Sequence, residues 1–456
     1  MLTKQDLLLI PHLSHQNLPD SVSEIVIDSR LANPGALFVA IIGERHNAHD
    51  YVKQVLESGA AACVVEQNWF ELQGPFLPEA PLIVVPDTTL ALGHLANIYR
   101  KKFTIPFVAI AGSNGKTSTK ELIAHLLSQH YQVLKTEGNF NNHIGMPLTL
   151  FRVRPEHQIA VIEIGTNHFG EIDYLCQLLE PTHGLITNIG QEHLEFFKDL
   201  DGVAKAEGEL FDYLAKENRL AFVNVDDEHV ARLAGNVANR VSYALEFCAD
   251  SAGKILEVSH AGQTKVAFEY DDISVEAQLQ VPGLHAATNA LAAFTVAASF
   301  GVPANKLQAG LASFRSGGKR MEVLEHNGFT IINDCYNANP DSMRAALRTL
   351  GAISGQIQKF AVIGNMAELG DQESELHRGL LKEIEEANIT QTFTIGKLAK
   401  HTFEALKESG KPAAHFESKR DLADALKKMA KKGDVVLVKG SRSAALEEVT
   451  ELLMKD

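Results

Sequence analysis

The run Phe107-Val-Ala-Ile-Ala-Gly-Ser-Asn-Gly-Lys-Thr-Ser-Thr-Lys-Glu121 constrains this chain more than any other. Phe107 to Ala111 is a short apolar run that reads as a buried strand. Gly112 to Gly115 supplies a turn. From Lys116-Thr117 onward, Leu122, Ile123, Leu126 and Leu127 recur at helical spacing. A strand, a glycine turn and a helix start together form an anion cradle, because backbone N–H groups of the turn and of the first helical turn converge on one point. Lys116 adds a point charge there, and the Thr117 hydroxyl is placed to hold a magnesium ion. The spacing is shorter than the usual G-x-x-x-x-G-K-[ST] phosphate loop. Ile110 stands where its first glycine would be, leaving Gly112-x-x-Gly115-Lys116-Thr117. A chance Gly-Lys-Thr at a helix start is the bland alternative, and the preceding strand argues against it.

At 456 residues the chain is too long for one core. Its 45% hydrophobic and 22% charged residues are those of an ordinary globular protein. A formal net charge of −15 makes nucleic acid an unfavourable general partner. No apolar run reaches the roughly 18 residues of a membrane span, and the N-terminal stretch lacks the apolar core and cleavage site of a signal peptide. Cys63, Cys176, Cys248 and Cys335 are widely spaced without C-x-x-C. They read as buried free thiols of a cytoplasmic protein.

The pattern divides the chain into three segments: 1–86, 87–315 and 316–456. In the first, Glu24–Arg30, Ala36–Ile41, Ala61–Val65 and Leu82–Val85 read as strands of a small α/β unit, with a helix from Asp50 to Ser58. The second leads through a helix (Thr89–Tyr99) into the phosphate-loop strand. It continues with strands at Ile159–Ile164, Gly184–Asn188 and Leu220–Asn224, a β-rich stretch from Val241 to Val281, and a helix from Ala286 to Ala298. The third alternates strand and helix, with strands at Thr330–Asp334, Phe360–Ile363, Thr392–Ile395 and Asp434–Val438. That rhythm predicts a doubly wound, parallel sheet. The fold class is therefore α/β in three domains, the central one built around the phosphate loop and the last Rossmann-like.

Ligands of open parallel sheets bind beyond the carboxyl ends of the strands. Glu163, His193 and Asp334 fall at such ends. A strand-end carboxylate can hold a nucleotide's magnesium; Glu163 could equally cap the following turn, and His193 could be an ordinary loop histidine. The asparagine-rich run Thr136 to Pro147 reads either as a solvated turn cluster or as a fixed loop near the nucleotide. Lys205, in an apparently helical stretch, reads alone as a surface lysine. Val438-Lys-Gly-Ser-Arg-Ser443 reads as a second anion site or as a capped helix start. No Ser-His-Asp or Cys-His arrangement is evident, which fits catalysis by positioning and charge neutralisation without an enzyme nucleophile.

Taken together, these residues resemble the Mur ligases, ATP-dependent amide-forming enzymes of peptidoglycan precursor synthesis, over essentially the whole chain. The resemblance rests on Gly112-Ser-Asn-Gly-Lys-Thr117, Asp28-Ser-Arg30 with Pro34 to Ala40, Gly138-Asn-Phe-Asn-Asn142, Glu163 to His168, Asp334-Cys-Tyr-Asn-Ala-Asn-Pro340, Gly364 to Gly370 and Val438 to Ser443. Departures are Lys319, where a glycine often stands, and Cys335, where serine is common. The resemblance implies ligation of D-alanyl-D-alanine to a UDP-N-acetylmuramoyl tripeptide through an acyl phosphate, with ATP and Mg2+ as cofactors.

It also implies roles. Gly112, Ser113, Asn114, Gly115, Lys116, Thr117 and Ser118 would hold ATP phosphates. Asn289 would approach the adenine, Asp334 the ribose and Arg320 the γ-phosphate. Thr117, Glu163, His193 and Lys205 would be metal ligands, Lys205 as a carbamate formed with CO2. Asn142 joins the catalytic group with Lys116. Ser29, Arg30, His46, Asn47, Asn337 and Asn339 would face the substrates. The chain is expected to act as a cytoplasmic monomer without nucleic acid or stable membrane insertion. Another amide ligase of the superfamily, adding diaminopimelate, lysine or folate-linked glutamate, remains open. So does a nucleotide switch without synthetic activity.

Overall fold

The computed structural model describes residues 1–455. It divides into two compact units. One holds residues 1–109, 132–166 and 170–183; the other holds 110–131, 167–169 and 184–456.

The first unit contains a five-stranded sheet in the order Ser14–Gln16, Leu82–Val85, Ala62–Glu66, Leu37–Val39, Ile25–Val26. Its last four strands pair in parallel, and Ser14–Gln16 closes the edge antiparallel. Leu37 to Val39 and Ala62 to Val65 are buried without alternation, as strands covered on both faces must be. Phe38, Val55, Val65 and Leu82 form part of their core. The expected strand Glu24–Arg30 is much shorter. It stops after Val26 because the Asp28 carboxylate accepts the Arg30 N–H at 3.0 Å and caps a 3-10 turn, Ser29–Leu31. The same unit carries the helix Thr88–Arg100, capped by Asp87, and the parallel strands Val133–Lys135 and Ile159–Glu163.

In the second unit the phosphate loop lies between strand and helix as its sequence predicts. Leu220–Asn224 and Asn239–Ala244 run parallel, and the antiparallel strands Ser251–Val258, Gln263–Tyr270 and Ile273–Pro282 extend the sheet. The helix Leu284–Ser299 packs on them with its alanines buried. The C-terminal sheet has the order Glu322–His326, Phe329–Asp334, Val435–Lys439, Lys359–Ile363, Gln391–Ile395, Ala413–Phe416. All neighbours are parallel except the antiparallel first strand. Phe360, Phe393, Val436 and Val438 lie in its core. The carboxyl ends at Asp334 and Lys439 thus sit in adjacent register.

Among the described residues no helix is long and apolar enough to cross a membrane. All four cysteines are free; Cys63, Cys176 and Cys335 are buried, but Cys248 is exposed, against expectation. It lies in the loop between Asn239–Ala244 and Ser251–Val258, beside Phe247, which is itself 62% exposed.

Candidate active site

The strand Phe107–Ala111 is wholly buried and delivers the chain to Gly112. Gly112 has φ +112°, and a Cβ there would meet Thr187 Oγ1 at 2.4 Å. Gly115, at φ +81°, starts the helix Lys116–Leu127 in the left-handed region, with Asn289 Oδ1 only 2.8 Å from where a Cβ would sit. Both glycines are required by conformation and by space. The segment 187–190 then clamps the loop. Ser113 N–H donates to the Asn188 carbonyl at 2.9 Å, and Asn114 N–H donates to Asn188 Oδ1 at 3.0 Å. The Asn114 carbonyl accepts from Thr187 Oγ1 at 2.7 Å and from Asn188 Nδ2 at 2.8 Å. Ser113 Oγ donates to the Gly190 carbonyl and accepts the Gly190 N–H. These bonds fix the backbone of the loop ahead of the helix start, so that an anion there is met without reorganisation.

Lys116 opens the helix, as its sequence position suggests, with its side chain only 16% exposed. Its ammonium donates to the Gly112 carbonyl, and lies 3.4 Å from Glu192 and 3.9 Å from Glu207. Glu207 is the residue that sequence reasoning missed. It sits on the helix Leu200–Lys216, which Asp199 caps by accepting the Gly202 N–H at 2.8 Å. The buried stripe of that helix is Val203, Ala204, Glu207, Leu210, Phe211 and Leu214. Glu207 Oε2 accepts the Gly112 N–H at 2.6 Å, while Oε1 is buried with no hydrogen-bond partner. Burial drives its carboxyl up to about 8; Lys116 opposes this and Glu192 adds to it. The readable signal was a lone acid at helical spacing within an apolar stripe. Lys205 is off that stripe: it is exposed, with its ammonium 5.1 Å from the centre of the Phe169 ring.

His193, at φ +48°, precedes the short helix Leu194–Phe197. Its Nδ1 lies 2.5 Å from Glu368 Oε2. Burial alone would lower His193, but the Glu368 hydrogen bond and the Glu192 charge raise it above the ordinary imidazole value. That bond also holds Glu368 below the usual carboxylate range, against its burial. Two further contacts reach the phosphate loop and its clamp from the start of the helix Pro340–Ala352. Asn339 Nδ2 donates to Asn114 Oδ1 at 2.9 Å, and Asp341 Oδ2 accepts the Gln191 N–H at 2.7 Å. Asn339 is also that helix's N-cap, through Ser342 N–H.

Asp334 accepts the Met321 N–H and pairs with buried Lys439 at 2.6 Å; Lys439 also donates to the Asn337 carbonyl at 3.0 Å. The Arg320 guanidinium stacks 3.8 Å from the centre of the Tyr336 ring. Ser118 and Asn289 line a cleft of about 380 Å3, mouth included, with Leu279, Ala290, Phe314 and Ser316. Thr117 follows Lys116 in the first helical turn, half-buried.

The remaining expected site residues belong to the first unit. Glu163 ends its strand at 2% exposure, donates its N–H to Thr136 Oγ1 and accepts Asn141 Nδ2 at 2.9 Å. Asn142 lies just before the helix Gly145–Leu150, and its Oδ1 accepts the Ile144 N–H at 3.2 Å and the Gly145 N–H at 2.8 Å. Ser29 and Arg30 lie in the 3-10 turn, where Arg30 is bidentate on Asp28. Asn47 caps the turn Ala48–Tyr51, and His46 is exposed beside it.

No three His, Cys, Asp or Glu side chains form a metal cage among the described residues. Magnesium on a nucleotide does not need one, since one or two carboxylates plus phosphate oxygens and waters suffice. The unpartnered, buried Glu207 Oε1 fits that requirement.

Comparison with known proteins agrees with this geometry. The sequence matches the Mur ligase family catalytic domain over 21–100, the Mur ligase middle domain over 110–297 and the Mur ligase glutamate ligase domain over 319–442. It is 36% identical to the UDP-N-acetylmuramoyl-tripeptide–D-alanyl-D-alanine ligase of Escherichia coli K12, over 96% of this chain and 94% of that one. The chain belongs to the Mur ligase family. The enzyme of the same name from Bacillus subtilis 168 is 34% identical over 94% of this Mur ligase and 93% of its own length. Among solved structures, MurF from Acinetobacter baumannii superposes with a TM-score of 0.89 at 30% identity, covering 100% of this chain and 99% of that one. MurF from Thermotoga maritima, in complex with ADP, gives 0.83 at 27% identity over 95% and 97%. The three-domain α/β class expected from the sequence is the architecture of these relatives.

Proposed function

We propose that this Mur ligase joins D-alanyl-D-alanine to UDP-N-acetylmuramoyl-tripeptide at the expense of ATP, forming ADP and phosphate. The observation that carries the reading is the near-full-length match to enzymes of that name, around an intact phosphate loop with Lys116 at its centre. The tripeptide carboxylate attacks the γ-phosphorus of ATP and ADP leaves, giving an acyl phosphate. The dipeptide amine then adds to the acyl carbon, loses a proton, and phosphate departs as the amide forms.

The residue roles belong to the same proposal. The N–H groups of residues 115–118 and the Lys116 ammonium hold the phosphates, with residues 112–114 shaping the loop through their bonds to Glu207 and Asn188, and the cleft at Asn289 takes the adenine. Asp334 faces the ribose and Arg320 the γ-phosphate. Magnesium would neutralise charge on the phosphoryl oxygens; Thr117, Glu163 and His193 are the residues that would hold it. An anion from the helix 200–216 completes the set. Two groups on that helix are candidates for the anion: a carbamate on Lys205 and the carboxylate of Glu207. Ser29, Arg30, His46 and Asn47 serve the nucleotide-sugar end, Asn142 the reacting carboxylate, and Asn337 and Asn339 the amine end. The functional division is 1–86, 87–315 and 316–456, and the enzyme acts in the cytoplasm as a monomer.

The chain has no D-N-P-R motif of the kind that grips diaminopimelate; the corresponding region reads Gly364-Asn-Met-Ala-Glu-Leu-Gly370. The amine is therefore a neutral dipeptide. ADP release is measured across UDP-muramoyl peptides and amines. Tripeptide with D-alanyl-D-alanine should exceed any reaction with diaminopimelate by at least ~10³, because polar groups left unpaired penalise the wrong amine. Preferred addition of diaminopimelate to a dipeptide overturns the substrate assignment. ATP hydrolysis without either small substrate favours a nucleotide switch instead.

A further inference from the structure

We propose that the metal-binding anion from the helix 200–216 is the carboxylate of Glu207, and that Lys205 carries no carbamate. The inference rests on the nucleotide reading of the phosphate loop given above.

Residues 205 and 207 are about 200° apart around a helix axis, so they cannot serve the same side of it. The side turned to the phosphate loop is that of Glu207. Its Oε2 accepts the Gly112 N–H at 2.6 Å, and Oε1 lies 3.9 Å from the Lys116 ammonium. Lys205 is exposed, with its ammonium over the Phe169 ring. The negative face of an aromatic ring attracts an ammonium and repels a carbamate. Carbamylation would turn that cation into an anion and so abolish the contact that Lys205 makes.

Local charge gives the second argument. Lys116 brings one positive charge to a pocket that holds two acids, Glu192 and Glu207, with side chains 9% and 1% exposed. Buried carboxylates persist when they are hydrogen-bonded, paired or coordinated to a metal. Glu207 Oε1 has no hydrogen bond, and its nearest cation is shared with Glu192 at a shorter distance. With His193, 3.9 Å from Glu192 and 2.5 Å from Glu368, two cations face three acids, so ionising Glu207 leaves the pocket one positive charge short beside the phosphate loop. A glutamate is already an acid of the required sign, so carbon dioxide has no part to supply.

The test uses Mn2+ in place of Mg2+ on the full chain with ADP, counting free Mn2+ by electron paramagnetic resonance. Glu207→Gln keeps an oxygen for the Gly112 N–H, so the loop should retain its shape, checked by a melting curve and by metal-free ADP binding within a few-fold of wild type. Mn2+ affinity of the ADP complex should fall at least ~10-fold, the scale on which metal sites respond to loss of a directing group. Glu207→Asp, which keeps the charge but shortens its reach, should fall between. Glu209→Gln, two positions along on the same helix, should bind Mn2+ as wild type does. Wild type in 13C-bicarbonate should show no carbamate resonance. Unchanged Mn2+ affinity in Glu207→Gln overturns the proposal. So does a carbamate signal lost in Lys205→Ala together with metal affinity. Failure of the ligase reading appears elsewhere, as wild type that binds Mn2+ and ADP but never couples tripeptide to dipeptide.

Discussion

Two acid–base clusters of this molecule use the same chemistry in opposite surroundings. At Asp28–Arg30 the guanidinium is bidentate on the carboxylate, yet the arginine side chain is 86% exposed. At Lys116 the ammonium is 16% exposed and faces two acids, with a long 3.4 Å hydrogen bond to Glu192 and 3.9 Å to Glu207. Good geometry in water does little for stability, since solvent and salt screen it. Poorer geometry in a buried pocket governs which charge can enter. The exposed pair fixes the direction of Arg30 and leaves it available to a ligand. The buried cluster sets a demand for positive charge beside a cradle built for anions.

Substitutions at each place should break this contrast in different observables. Lys116→Ala should lower turnover by at least ~10³, the scale of one preorganised charge in a water-poor site. Because Lys116 is packed among acids, the fold should also feel its loss, but by less than about 3 kcal/mol: Glu207 can take a proton in place of its partner. Near-normal turnover with a native melting curve would remove Lys116 from the mechanism.

A smaller effect is expected at His193–Glu368. His193 is raised above 6.5 and Glu368 lowered below 4.5, so both partners are charged across that interval. The pair's contribution is complete between those values. It is lost as pH rises through the raised histidine value and as pH falls through the depressed glutamate value. With Glu368 half exposed it amounts to ~1 kcal/mol or less. Melting curves of wild type and Glu368→Gln should therefore differ most near pH 5 to 6, the interval those two values set, and converge at alkaline pH. A gap that widens with pH contradicts the pairing.

The smallest change in stability should follow Asp28→Asn, where the carboxyl is held down to about 2 by Arg30. Thermal midpoints should be unchanged within error, while KM for the nucleotide-sugar substrate rises as Arg30 loses its fixed direction. A large drop in melting temperature, or an unchanged KM, argues against this division of roles.

Much of this was legible in the chain. The parallel strands appear as apolar runs without alternation, such as Leu220–Asn224, while Gln263–Tyr270 and Ile273–Pro282 alternate. The phosphate loop is local, so its glycines, lysine and helix start could be read together. Reading failed where a side chain overrode its neighbours: Asp28 turns its own backbone and ends a strand that propensity would continue. It also failed where partners are far apart in sequence. Nothing near His193 announces Glu368, and nothing near Gln191 announces Asp341. Glu207 is intermediate. Beside Lys205 and Glu209 it looks like one more surface charge, and only the helical period separates it from them.

The double use of Asn339 has a mechanical consequence. One amide caps the helix Pro340–Ala352 with its oxygen and grips Asn114 with its nitrogen. A helix of 13 residues is about 20 Å long, so a tilt of only ~5° at its cap swings the far end by nearly ~2 Å. The cap is a fulcrum with a short arm at the phosphate loop and a long arm in the C-terminal domain. Because the bond at the short arm joins two uncharged amides, the lever keeps its grip at any ionic strength and any pH at which the protein is folded.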